Sequence, residues 1–108
     1  MQTNKVVSWS TYGASSNSSH PETAIGLNAS PSGQEYPNAV IHFLPCADSE
    51  LPKPFFSNNG VSLAIFYPIR AFVGIIGMLE AGFDVSYFFD DGADGPTAGL
   101  EFSRTWSL

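Results

Sequence analysis

Cys46 is the only cysteine among 108 residues, so the chain can close no disulfide on itself and nothing in it argues for an oxidising compartment. A cytoplasmic location is the expectation. Basic residues are nearly as scarce. Lys5, Lys53, Arg70 and Arg104 stand singly against ten acids, for a net charge of −6. Affinity for a phosphate backbone rests on Lys and Arg displacing counterions, so nucleic acid and anionic membrane surfaces are not expected partners. The N-terminal run MQTNKVVSWSTYG lacks the basic start and apolar stretch of a signal peptide. Without secretion, the glycosylation patterns at Asn17 and Asn28 carry no chemistry. Also missing are a G-x-S-x-G elbow, a phosphate-gripping glycine loop and an H-E-x-x-H pair, so no enzyme of a familiar type is indicated.

Charge of either sign is low, at 13%, while apolar residues make up 44%. That balance is the opposite of a disordered chain. The length suits one domain spanning 1–108 with a single core. The longest apolar run, VSLAIFYPIRAFVGIIGML at 61–79, is long enough to cross a bilayer but carries Pro68 and Arg70 at its middle. Proline breaks the helix and a cation is costly there. A strand, a break at Tyr67-Pro68 and a helix account for the same residues, so no membrane is expected.

Several segments alternate apolar and polar residues with the period of a half-buried strand. Residues 5–12 set Val7, Trp9 and Thr11 against Val6, Ser8 and Ser10. The run GASSNSSHP at 13–21 marks a surface loop. Segments 23–29 and 38–44 flank the turn-rich SPSGQEYP and read as a hairpin. Residues 45–60, with three prolines and then Asn58-Asn59-Gly60, read as a loop ending in a tight turn. A continuous apolar strand follows at 61–67.

The period changes at Ile69. Ile69, Phe72, Val73, Ile76, Leu79 and Phe83 follow helical spacing, with Pro68 at the entrance and Gly82 placed as a cap. A helix over 69–81 is predicted. Its other side, Ala71, Gly74, Ile75 and Met78, is also apolar, so the helix has almost no polar face. A glycine inside a helix costs about 1 kcal/mol relative to alanine, so Gly74 and Gly77 suggest that another backbone comes close. Strands resume at 84–90 and 99–108. The expected class is α+β: a mostly antiparallel, curved sheet of about five to six strands with one short helix on a face.

The sharpest chemical signal is DDGADGPTAGLE at 90–101. Asp90, Asp94, Gly95 and Glu101 match positions one, five, six and twelve of a calcium-binding loop, but Gly92 puts no oxygen at position three. That loop also needs a helix on each side, whereas both flanks here have strand period. A plain hairpin turn explains the residues without a metal, since Asp-Gly reverses a chain readily. Three aspartates within five residues repel one another, so a weak calcium site at Asp90, Asp94 and Glu101 is the one cofactor the chain could offer.

His42 and Cys46 are four apart and would pair on a helix, as base and thiolate or as zinc ligands. On a strand running into Pro45 they diverge, and a half-buried histidine and thiol are the simpler expectation. Fifteen aromatic residues exceed what one small core needs. Trp9, Tyr12, Tyr36, Phe55, Phe56 and Trp106 fall near strand ends or in loops, and Trp9, Tyr36 and Trp106 are the expected ligand-binding residues. The leading expectation is a non-catalytic, acidic, soluble domain that forms a homodimer and binds a small or peptide ligand through an aromatic surface. The alternatives are a divalent-cation module at 90–101 and a small enzyme whose site lies between subunits.

Overall fold

Among the described residues, eight strands form two sheets that share one hydrophobic core with a single α-helix. The computed structural model describes residues 2–12, 23–29, 38–57 and 60–103. One sheet has the strand order β1-β7-β8, built from Gln2–Lys5, Asp84–Gly92 and Gly95–Ser103. The other has the order β2-β3-β4-β6-β5, built from Ser8–Tyr12, Thr23–Asn28, Ala39–Leu44, Ser62–Pro68 and Phe55–Ser57. All pairs are antiparallel except β4 with β6. The class is α+β and mostly antiparallel, as the periodicity indicates.

The N-terminal segment makes the two sheets one curved surface. The alternation over 5–12 predicts a single strand, but the chain turns at Val6-Val7 and changes partners. The Val6 N–H donates to the Val85 carbonyl at 2.8 Å and the Val7 N–H to the Asn28 carbonyl at 2.8 Å. One strand therefore starts in the small sheet and ends in the large one, which is how sheets turn a corner.

Between β4 and β6 the expected loop holds a 3₁₀ turn at Asp48–Glu50 and a short strand. Phe55–Ser57 pairs antiparallel with β6, Phe55 opposite Ala64. Three residues between Pro54 and a turn are too few to display a period. Gly60, with φ of +85°, occupies the turn that follows. This short strand forms one edge of the large sheet.

The predicted helix is present. A 3₁₀ turn at Ile69–Ala71 leads into α1, Phe72–Glu80. Its end is capped as the sequence suggests: Gly82 takes a φ of +82°. The Gly82 N–H donates to the Leu79 carbonyl and the Phe83 N–H to the Met78 carbonyl, both at 3.2 Å. That pair of bonds is the Schellman arrangement, which satisfies carbonyls that a helix end otherwise leaves open.

The face that α1 buries is rotated from the expected one. Ile75 and Leu79 are buried, with Ala71, Phe72 and Ile76 packed beside them, whereas Val73 and Ile69 stand exposed. An all-apolar helix has no polar side to mark its outside, so spacing alone fits either face. The core lies on the inner face of the large sheet, where Ile25, Leu27, Ile41, Phe43, Leu63 and Ile65 are at most 1% exposed. Phe72 meets Phe43 edge-on, with ring centroids 5.2 Å apart. Val85 and Tyr87 close the same core from the small sheet. No helix among the described residues is long and apolar enough to cross a membrane.

Candidate functional site

The segment 90–101 folds as the two arms of a hairpin and the turn between them. Asp90 pairs with Thr97, Asp91 with Pro96 and Gly92 with Gly95, which leaves only Ala93 and Asp94 as the reversal. Gly95 has a φ of +106°, a conformation that L side chains rarely adopt. The second strand thus starts at Gly95, four residues before the alternation becomes visible, because Gly95-Pro96 conceals it. Glu101 pairs with Ser86. It stands four residues down the strand from Thr97, about 13 Å at the rise of a β-strand, and so does not join the aspartates of the tip.

Lys53 reaches that tip from the loop that leads into β5. Its Nζ lies 3.0 Å from the place where a Cβ on Gly95 would stand. An ammonium group therefore stands beside Gly95 at the turn. Among the described residues, no three His, Cys, Asp or Glu side chains gather as a metal site would require.

His42 lies within β4 and Cys46 two residues beyond its end. His42 points to the outer face of β4 and stacks on Phe66, with centroids 5.4 Å apart and planes 24° apart. Cys46 is a half-buried free thiol beyond the strand's end. It lines an open hollow of about 520 Å³ with Pro45, Glu50, Pro68 and Arg70, at the ends of the parallel strands β4 and β6. The exposed pair Arg70–Asp48, with 2.8 Å between Nη2 and Oδ1, borders it.

Of the expected ligand-binding aromatics, Trp9 packs half-buried against the core and lines a hollow of about 180 Å³ at the strand corner, with Val6, Leu79, Phe83 and Val85. Tyr36 and Trp106 lie outside the described residues. The aromatic row that the fold assembles is a different one. On the outer face of the large sheet, His42, Phe66 and Phe55 follow one another across β4, β6 and β5, the last two with centroids 5.8 Å apart. Phe55 is 52% exposed. Phe56 turns to the opposite face and meets Phe89 of the small sheet at 4.9 Å, edge to face. Phe66 was invisible as a surface residue because its strand reads as buried on both faces. Only the register His42 to Phe66 reveals the row.

A second apolar surface lies on α1. Val73 is 76% exposed, and a Cβ built at Gly74 or Gly77 would meet no described atom within 4 Å. The close backbone suggested by these glycines is therefore not supplied by the described part of this chain. No family model, curated protein sequence or solved structure matches the chain. Functional inference rests on these surfaces.

Proposed function

We propose that the chain is an acidic, self-associating interaction domain that works by contact between surfaces, with the aromatic row His42–Phe66–Phe55 as its surface for a small or peptide ligand. One observation carries the reading: Val73, in the first turn of α1, leaves most of its side chain in water. Single exposed apolar residues are common, but here the neighbours at Gly74 and Gly77 add no polar group, and Ile69 of the preceding turn is exposed as well. Such a strip gains from being covered.

Catalysis has less support. His42 is stacked on a phenylalanine within β4, and Cys46 lies two residues past the strand's end. A reducing compartment is consistent with one free thiol. Sedimentation equilibrium of the full chain tests the proposal. A mass above the monomer at micromolar concentration is expected; a monomer mass throughout would remove it.

A further inference from the structure

The outward side of α1 is defined by spacing. Positions 70, 73, 74, 77, 80 and 81 follow i, i+3, i+4, i+7, i+10 and i+11, which places them on one side of a helix. All six are exposed. Charge occurs only at the two ends of this strip, Arg70 in the turn that opens the helix and Glu80 as its last residue.

Each of these charges is at the wrong end of its own helix. The N-terminus carries the positive end of the backbone dipole and favours acids, and the C-terminus favours bases. The first turn of α1 has no acid and the last turn no base. A second copy laid antiparallel corrects both ends at once. With a twofold axis midway between Gly74 and Gly77, position 70 of one protomer faces position 81 of its partner. Glu80 of the partner then comes beside Arg70 and the positive helix end, and the reciprocal contact forms at the other end. A parallel copy would set Arg70 against Arg70 and Glu80 against Glu80.

We infer that the occupant of this face is a second copy of the chain, packed antiparallel through α1, with Arg70 of each protomer paired to Glu80 of the other. The inference rests on the self-association proposed above and assigns its surface and orientation. The missing Cβ atoms at Gly74 and Gly77 let the helix backbones approach, and Val73 supplies the apolar contact. The Arg70–Asp48 bond within the chain engages one nitrogen of the guanidinium, which leaves donors for a second carboxylate. The strip is about 18 Å long and roughly 10 Å wide. It is well below the ~800 Å² per partner of a standard stable interface, so the dimer is expected to be weak and to loosen with salt.

Sedimentation equilibrium at low and high ionic strength provides the test, with thermal melts to verify that each variant is folded. Val73→Asp should be monomeric. Arg70→Glu and Glu80→Arg should each raise the dissociation constant by about tenfold at low salt, since each turns two attractive contacts repulsive. The double reversal should bring it back towards the parent value, and Asp48→Asn should not weaken the dimer. A dimer that survives Val73→Asp, or single reversals without effect, or a double reversal no tighter than the singles, would overturn the assignment to α1 while leaving self-association standing. A parent chain that is monomeric throughout would overturn both.

Discussion

The two sheets hold their apolar residues at different depths. In the five-stranded sheet, Ile25, Leu27, Ala39 and Ile41 are wholly buried, whereas the three-stranded sheet offers Val85 and Tyr87 at 3% and 6% exposure and otherwise only half-buried side chains. The large sheet is covered by both the helix and the small sheet. The small sheet covers but is covered only in part. Among the described residues it joins the large sheet through the shared core that Val85 and Tyr87 enter, the strand that turns the corner at Val6-Val7, the Phe56–Phe89 contact, and the Leu100 N–H donating to the Tyr67 hydroxyl at 3.1 Å. The wholly enclosed side chains therefore lie mainly in one sheet, and the other meets it partly through contacts that single substitutions remove.

The largest effect should come from the buried side of that comparison. Ile41→Ala removes a fully enclosed side chain and should cost about 2–5 kcal/mol, measured by urea unfolding. Val85→Ala, from the small sheet, should cost less. Equal losses would mean that the two sheets contribute alike.

Gly99 tests the small sheet from within. A Cβ there would come within 3.0 Å of the Phe88 ring and 3.2 Å of the Tyr67 hydroxyl. Gly99→Ala should destabilise by about 1–3 kcal/mol, as overpacking does. A neutral result would show that Phe88 moves aside freely.

Tyr67→Phe is the more local break. It leaves the Leu100 amide without its partner, at about 1 kcal/mol, and hydrogen exchange should accelerate at Leu100 and not at Ile41. Uniform acceleration across both sheets would deny that the smaller one is separable.

The finest probe is pH. Burial raises the Tyr87 hydroxyl above its ordinary 10.0, so the folded protein holds that proton more tightly than the unfolded chain does. The associated stability is complete below pH 10.0 and is lost as pH rises through the folded-state value. Tyr87→Phe should flatten the fall in stability above that point. An unchanged slope would place its origin elsewhere.

Local order was legible where a period runs long enough to show. The helix over 69–81 and its Gly82 cap could be read from spacing, and so could the strands on both sides of the acidic turn. Phe55–Ser57 could not, being three residues beside prolines. The candidate sites were legible only in part. Asp90 and Asp94 do lie at a hairpin end, but the separation of Glu101 from them depends on Ser86 being its partner. Trp9 was singled out for lying near a strand end, and the fold sets it at the corner between the sheets, half-buried beside a small hollow. The aromatic row needed Phe66 to lie beside His42, a pairing between segments more than twenty residues apart.

By itself, then, the sequence determined the longer strands and the helix, because backbone preference and hydrophobic period act over a few residues. It also set the charge and thiol content, with one cysteine and four singly placed bases against ten acids. Only the tertiary structure decided which strands are neighbours, that they divide into two sheets at Val6-Val7, and which side of α1 faces water. With no polar face to orient it, the helix was turned by the shape of the core it filled, and that turn left Val73 outside with Arg70 and Glu80 at either end.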